Sequence, residues 1–360
     1  MTAIYQNSGN DTTAGSASLR GNESAAGNAP VWENRSAAAP QTMPERTRWG
    51  EKRYYSLDYY LKETYGRKLY KIALDGGFTC PNRDGTLGYG GCIFCSAGGS
   101  GDFAGDRTLS VAAQMDAGKA LLAKKYQGTG YIAYFQAYTG TYGPLSRLRE
   151  AFTEAIRYPG TEILSIATRP DCLPREVLTL LQELSLEIPV WIELGLQTIH
   201  QKSADFIRRG YELPVFEQAV RDLRSIGIPV IVHVILGLPA EDTKDILATI
   251  QYLNDMDIQG VKLQLLHVLK GTELAAYYKA HPFPVLTLTE YLRLLGACIN
   301  QLRPDIVIHR LTGDGPKRLL MEPEWTANKR LVLNQIQSYF KSQDIWQGRS
   351  YTNGRITHSL

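Results

Sequence analysis

Three of the five cysteines in this 360-residue chain lie in one glycine-rich stretch, CPNRDGTLGYGGCIFC, at residues 80–95. Two residues separate Cys92 from Cys95, so a single turn can direct both sulfurs at one metal centre. Eleven residues separate Cys80 from Cys92, and the glycines between them allow the chain to fold back. Three thiolates without a fourth protein ligand suit a [4Fe–4S] cluster with one open iron. The stretch therefore predicts an iron–sulfur centre at which a bound molecule can react.

Zinc and redox thiols are the alternatives for this stretch. Structural zinc sites hold four protein ligands, whereas the stretch offers three and has no histidine nearby. The other two cysteines, Cys172 and Cys298, stand apart along the chain. An odd number of clustered cysteines does not resemble a disulfide framework, and it predicts a reducing, cytoplasmic compartment.

Six short apolar runs are spaced along the chain, and longer amphipathic stretches separate them. The runs are residues 70–74, 131–137, 162–168, 190–196, 229–237 and 261–269. The clearest helical patterns are residues 174–184, 214–227 and 242–256. Strands that alternate with helices pair in parallel, and strands buried on both faces are continuously apolar. The pattern predicts an α/β fold with a partial (β/α)6 TIM-type barrel, and a doubly wound sheet is the alternative. The cysteines follow the first run, at the strand ends where barrels place their chemistry.

The rest of the chain divides into segments around this barrel. Residues 1–43 form a low-complexity tail that we expect to be disordered, and residues 44–69 form a basic, tyrosine-rich N-terminal segment. The predicted core spans residues 70–270, and a helical and mixed C-terminal extension spans residues 271–360. The extension is expected to contain helices at residues 287–303 and 322–343 and a strand at residues 305–311.

Basic and aromatic residues alternate between Arg46 and Lys71. Eight lysines and arginines stand there against three acidic residues, and six tyrosines lie among them. Such a mixture suits contacts with phosphates together with stacking on bases. The alternative is a solvated helix whose tyrosines pack on the next domain.

The overall composition is typical of soluble proteins. Hydrophobic residues make up 44% of the chain and charged residues 21%, with a net charge of +3, so the bulk charge indicates no particular partner. No run approaches 18 uninterrupted apolar residues, and the start lacks the basic and apolar pattern of a secretory signal. We therefore expect no membrane partner.

Taken together, these features resemble the radical S-adenosylmethionine (SAM) superfamily. The resemblance covers residues 46–345 and rests on KIALDGGFTCPNRDG, GGCIFCSAGGSGDF, IATRPDCLP, ELGLQT and LLHVLKGTEL. The commonest spacing in that family has three residues between the first two cysteines, and this chain has eleven. It is similar to the subgroup of the Elongator catalytic subunit (Elp3-like proteins) and the oxygen-independent coproporphyrinogen oxidases, and in particular to YhcC/YtqA-type radical SAM proteins.

The resemblance implies an enzyme with two cofactors, a [4Fe–4S] cluster and SAM. Cys80, Cys92 and Cys95 would bind three irons, and the amino and carboxylate groups of SAM would bind the fourth. A reductant such as flavodoxin or ferredoxin would supply the electron that cleaves SAM to a 5′-deoxyadenosyl radical, which then abstracts hydrogen from a substrate. Residues 135–144 stand where the family has Gly-Gly-Glu, so backbone carbonyls there are expected to hold the SAM amino group.

The resemblance also implies which other residues bind SAM. Phe94 matches an aromatic that lies near the adenine, and Gln197 matches a contact with the ribose or the methionine part. Arg209 matches an arginine that pairs with the SAM carboxylate. Glu193 lies on the same face of its strand as Gln197, because side chains alternate along a strand. His233 stands where the oxidases have a ribose contact.

The characterised members of the subgroup act on different substrates, the wobble uridine of transfer RNA or a porphyrin precursor. Residues 317–355 carry seven basic against three acidic residues, and with the basic N-terminal segment they favour RNA. The expected function is thus modification of a wobble-uridine side chain in tRNA, with Arg310, Asp314 and Lys329 as candidate substrate residues. Three alternatives are a small, tetrapyrrole-like substrate, an iron–sulfur electron carrier, and an RNA-binding protein with a structural metal.

Overall fold

The computed structural model of the chain describes residues 47–123, 128, 130–313 and 315–352. The tail expected at residues 1–43 and the candidate Asp314 lie outside the described residues. The strands, in chain order, are β1 (Tyr70–Leu74), β2 (Tyr131–Phe135), β3 (Thr161–Thr168), β4 (Val190–Gln197), β5 (Val230–Leu236), β6 (Gly260–Leu265), β7 (Val268–Leu269), β8 (Val307–Arg310) and β9 (Leu320–Glu322).

Seven of these strands form one parallel sheet in the order β1-β2-β3-β4-β5-β6-β8. The sheet curls into a half-barrel, so the predicted partial barrel is confirmed. The sheet has one strand more than the six predicted for the barrel, because β8, from the segment assigned to the C-terminal extension, pairs with β6. The remaining two strands, β7 and β9, pair antiparallel with each other beside the barrel.

Ten α-helices are found in the described residues, and those between parallel strands cover the outer face of the sheet. They are α1 (Leu57–Tyr65), α2 (Val111–Ala123), α3 (Leu145–Arg157), α4 (Arg175–Ser185), α5 (Gln201–Phe206), α6 (Leu213–Ser225), α7 (Thr243–Asn254), α8 (Glu273–Ala280), α9 (Leu288–Gln301) and α10 (Lys329–Ser342). In α3, for example, Leu148, Phe152 and Ile156 recur at helical spacing and are buried against the sheet. None of the described helices has both the length and the apolar character that crossing a membrane requires.

Two predicted elements have different limits in the structure. The run at residues 261–269 is not one strand, since β6 ends at Leu265 and the chain then turns into β7, which pairs with β9. The helix predicted at residues 322–343 begins only at Lys329, as α10. Asn328 caps it by accepting a hydrogen bond from the Leu331 N–H, and a short 3₁₀ turn precedes it.

The amino-terminal end of the barrel is closed by α1 and its neighbours. Tyr60 and Leu61 of α1 pack with Ile132, Ile163 and Trp191 in a buried cluster beneath the sheet. All six tyrosines between Arg46 and Lys71 are buried or half-buried. The alternative in which these tyrosines pack on the next domain therefore describes them better than base stacking does. The barrel interior is left open at the carboxyl ends of the strands.

Candidate active site

A cavity lies at the carboxyl ends of the strands, and the three clustered cysteines line it. Cys80, Cys92 and Cys95 are each half-buried there. The cysteine stretch leaves the sheet at β1, as its position after the first apolar run predicted. Within the described part of the chain, no group of three His, Cys, Asp or Glu side chains is arranged to hold a single metal ion.

The long gap between the first two cysteines is spanned by Asn82 and Arg83. The Asn82 amide donates to the Arg208 carbonyl at 2.8 Å and lies 3.6 Å from the Cys92 sulfur. Arg83 donates to the Ser96 carbonyl at 2.5 Å. Gly91 has φ +85°, and a Cβ there would approach Arg83 Nε to 2.7 Å. The glycine therefore leaves room for the arginine, which ties the two halves of the stretch together.

The thiols of Cys92 and Cys95 interact directly. A hydrogen bond from Cys92 lowers the pKa of Cys95 to about 6, and the same hydrogen bond raises the pKa of Cys92. A thiolate is the form of cysteine that binds metal. The pair is therefore disposed to present one thiolate towards the cavity even before a metal binds.

Gln197 ends β4 in a strained conformation. Its φ is +70°, and the pairing of β4 with β5 shifts register between Gly195 and Gln197. Such outliers occur where a side chain is aimed at a functional site. The Gln197 side chain lines the cavity, and its Oε1 is buried without a hydrogen-bond partner among the described residues. The structure thus leaves a polar atom ready for a ligand.

Arg209 lies beside this glutamine, and three hydrogen bonds to backbone carbonyls fix its side chain. Its Nη1 donates to the carbonyls of Thr198 at 2.6 Å and Leu196 at 3.2 Å, and its Nε donates to the Tyr211 carbonyl at 3.0 Å. Its Nη2 is buried and has no partner within the described chain. The neighbouring Arg208 is more exposed and pairs with Glu273. Of these two arginines, Arg209 is the one that lines the cavity.

The donor groups in the cavity fit the cofactors that the resemblance implies. The half-buried Cys80, Cys92 and Cys95 could hold an iron–sulfur cluster. A SAM molecule beside it would meet the open acceptor of Gln197 and the open donor of Arg209, which suit its amino, hydroxyl and carboxylate groups. Phe94 lines the same cavity and could contact an adenine ring.

Glu193 and His233 occur in the cavity but are already bonded within the protein. Six strands each contribute one side chain to a connected layer, here called the polar floor: Lys71, Tyr134, Ser165, Glu193, His233 and Lys262. Glu193 accepts hydrogen bonds from Lys71 at 2.8 Å, Ser165 at 3.0 Å and Lys262, and it lies 2.9 Å from His233. Their hydrogen-bonding capacity is taken up, which favours a role in shaping the cavity over contact with SAM.

The charges of the polar floor are set by burial and by mutual attraction. Burial alone would raise the pKa of Glu193, but Lys262, Lys71 and His233 hold it well below its ordinary value. Burial lowers the pKa of His233 to about 4, so this histidine is neutral at pH 7. The floor thus contains one carboxylate between two lysines. Sequence reasoning missed Lys71 and Lys262, although a lysine inside a buried apolar strand is itself a signal, because such a charge needs a partner.

The structure describes two of the three candidate substrate residues, and these two lie in different places. Arg310, at the end of β8, lines the cavity, and its Nη1 donates to Gln264 at 3.3 Å. Lys329 is exposed at the start of α10 and is not among the residues that line the cavity. Asp314 is outside the described residues. Of the two candidates that the structure describes, Arg310 is the one at the site.

Gly195→Ala is expected to weaken SAM binding about tenfold with little effect on thermal stability. A Cβ at this position would lie 2.8 Å from Gln197 Nε2, so the flexible amide must swing away while the backbone stays. The loss corresponds to about one hydrogen bond. Equilibrium binding of SAM to the reconstituted protein measures it. In a Gln197→Ala background the same change should have no further effect, and an equal loss there would show that Gly195 acts by another route.

Comparison with known proteins identifies the family of the chain. The sequence profile of the Radical SAM superfamily matches residues 80–253, and the profile of the Radical_SAM C-terminal domain matches residues 258–342. The chain is 43% identical over 301 residues to YtqA of Bacillus subtilis, covering 84% of this chain and 94% of YtqA. It is 25% identical over 167 residues to the tRNA uridine(34) acetyltransferase of Methanocaldococcus jannaschii, covering 44% of this chain and 29% of that protein.

A solved structure shares the fold. Elp3 of the archaeon Methanocaldococcus infernus, with its N-terminus deleted, aligns with a TM-score of 0.59 at 16% identity, covering 78% of this chain and 64% of that chain. The likeness in fold agrees with the half-barrel, and the family matches span the cysteine stretch and the strands that line the cavity. The chain belongs to the radical SAM superfamily, whose enzymes use a [4Fe–4S] cluster and S-adenosylmethionine.

Proposed function

We propose that this radical SAM enzyme modifies the side chain of the wobble uridine in tRNA. Cys80, Cys92 and Cys95 would hold the cluster, and Gln197 and Arg209 would orient SAM, with Phe94 against its adenine. The bound cluster and SAM supply one-electron cleavage and a radical that abstracts hydrogen. The protein's part is to fix the position of the substrate and to keep water out of the half-barrel, whose far end α1 closes.

The observation that carries the choice of RNA is the surface around the cavity mouth. Lys270 follows the lining residue Leu269, and Lys317 and Arg318 follow the lining residue Pro316. All three cations are exposed, and the Lys270 N–H donates to the Leu319 carbonyl, which brings the two basic segments together. Clustered exposed cations of this kind bind phosphates.

Exposed aromatic rings also occur on the cavity side of the molecule. Tyr89, in the cysteine stretch, is 78% exposed, and Phe103, which lines the cavity, is 53% exposed. Exposed rings bind single-stranded bases by stacking, and a wobble nucleotide in an anticodon loop can provide such a base. The 25% identity with the tRNA uridine(34) acetyltransferase supports the same choice.

Enzymes of this superfamily need an external reductant, and we propose flavodoxin or ferredoxin for this one. The proposal places the protein in the cytoplasm, where thiols stay reduced and tRNA is present.

Nucleoside mass spectrometry of tRNA from a strain that lacks this protein tests the proposal. One modified nucleoside at the wobble position is expected to disappear, and the gene with Cys95→Ala should fail to restore it. An unchanged tRNA profile, obtained while the purified enzyme still produces 5′-deoxyadenosine from SAM, would contradict the RNA substrate and favour a small, tetrapyrrole-like one.

Direct measurement of tRNA binding tests the proposed basic surface at the cavity mouth. The variant Lys317→Gln/Arg318→Gln should bind tRNA at least tenfold more weakly at low salt, with a salt dependence reduced by about two phosphate contacts. The matched control is Lys62→Gln/Lys68→Gln, which removes two exposed charges at the closed end of the barrel. Equal losses in both variants would show that binding is not localised at the mouth.

A further inference from the structure

We propose that Arg310 is the centre of a binding site for an anionic group of the substrate, a carboxylate or a phosphate, next to the polar floor. This inference rests on the proposed function, because the site would receive the molecule from which hydrogen is taken. It adds a chemical requirement on that molecule, namely a negative charge close to the reacting carbon.

Arg310 is a cation without a counter-charge in a half-buried position. Among the described residues it forms no ion pair, and its side chain uses one donor, to the neutral Gln264. A guanidinium has five N–H donors in a planar fork, which match the two oxygens of a carboxylate or phosphate. Withdrawing such a charge from water without a partner is unfavourable. The cavity wall therefore offers a site that an anion would complete.

The described surroundings of Arg310 supply no free negative charge to offset it. Arg310 lies close enough to Tyr134, His233 and Lys262 to influence their ionisation. The polar floor beside it sets Lys71 against the carboxylate of Glu193, its histidine is neutral, and burial holds the pKa of Lys262 well below its ordinary value. Among the described residues that line the cavity, the other carboxylate is Asp102, which accepts a hydrogen bond from Ser96 at 2.6 Å on the cysteine side. Charges inside a cavity are weakly screened by water, so the unpaired guanidinium of Arg310 attracts an anion.

Strand order separates this site from the one proposed for SAM. The cysteine stretch follows β1, at one edge of the sheet, and Gln197 ends the central β4. Arg310 ends β8, at the opposite edge. The SAM carboxylate would be engaged by Arg209, which is held beside β4 by the carbonyls of Leu196 and Thr198. Arg310 is therefore left for a second molecule that shares the cavity.

Isothermal titration under anaerobic conditions tests the inference, with cluster-loaded protein and saturating SAM. The probes are two matched pairs, uridine 5′-monophosphate against uridine, and succinate against succinamide. At least one anion should bind ten times more tightly than its neutral partner, and the pair that responds identifies phosphate or carboxylate as the group. Arg310→Gln should remove this preference, Arg310→Lys should keep most of it, and Arg147→Gln, on the outer helix α3, should not change it.

Three results would overturn the inference. The wild-type protein could bind each anion no better than its neutral partner, or Arg310→Gln, with an unchanged melting temperature, could bind the anion as the wild type does. In a parallel titration without SAM, the anion could bind and then fail to bind when SAM is present, which would assign Arg310 to the cofactor. Because binding is read directly, failure of the enzyme to cleave SAM or to modify tRNA would count against the proposed function and leave this measurement interpretable.

Discussion

Replacing Cys95 by alanine is expected to abolish both cluster binding and the formation of 5′-deoxyadenosine. Three thiolates are the complete protein ligand set proposed for the cluster, so loss of one leaves two, too few to hold it firmly. Cys95 is also the thiol whose pKa is lowered, to about 6, by the hydrogen bond from Cys92. Iron content and visible absorbance after anaerobic reconstitution measure the first effect, and chromatography of the reaction mixture measures the second.

Cys298→Ala is the matched control for this experiment. Cys298 is fully buried in α9, on the outer side of the sheet, and it does not line the cavity. Its replacement removes one sulfur atom from the core and should change stability by about 1 kcal/mol while leaving the iron content intact. If Cys298→Ala lost the cluster as well, the ligand set of Cys80, Cys92 and Cys95 would be wrong.

Glu193→Gln should have the largest effect on stability, a loss of about 3–5 kcal/mol in the free energy of unfolding. Glu193 is fully buried and is the carboxylate to which Lys71 and Lys262 donate. Burial already holds the pKa of Lys262 well below its ordinary value. Without the carboxylate, the buried Lys262 must either stay an unpaired ammonium or give up its proton, and both lower stability. The amide also offers donors where acceptors are needed. Urea denaturation of the protein without its cofactors measures the loss, and equal midpoints for variant and wild type would contradict it.

A second replacement, at Lys262, tests whether the stability is lost because this buried lysine has no partner. Lys262→Met removes the buried amine that is left without its partner, so Glu193→Gln/Lys262→Met should recover at least half of the stability lost in the single variant. The pH dependence gives a further check. Because its neighbours lower the folded-state pKa of Glu193, its contribution to stability is complete above about pH 5 and is lost only as the pH falls through that lowered pKa. The difference between wild type and Glu193→Gln should therefore be constant near neutral pH and shrink in acid.

The barrel could be predicted from the sequence because its strands are apolar on both faces. Five of the six runs became strands with ends within two residues of the prediction. The prediction of one strand at residues 261–269 was wrong because apolar character does not reveal which neighbour a strand pairs with. In the structure β7 pairs with β9 and does not continue β6. The start of α10 was missed because the acidic residues near Pro323 resemble a first turn, whereas Asn328 provides the cap.

The candidate site was predictable where its residues are close together in sequence or match a motif. The cysteines and Gln197 belong to local patterns, and the structure places them around one cavity. The partners of Glu193 belong to no such pattern, since Lys71 and Lys262 lie 122 and 69 residues away from it. Their meeting depends on the curl and register of the whole sheet. The same holds for Arg310, whose position in the sheet follows from the pairing of β8 with β6.

The polar floor also affects which strand registers are stable when the barrel folds. Its six members come from six consecutive strands, one from each. A slip of one residue in any strand would turn that member outward, among the apolar side chains of the covering helices. A misaligned β1 or β6 would then bury a lone lysine and deprive Glu193 of a partner. The ion pairs therefore destabilise incorrect strand registers relative to the native one. The layer that shapes the cavity thus also helps to specify how the strands of the barrel pair.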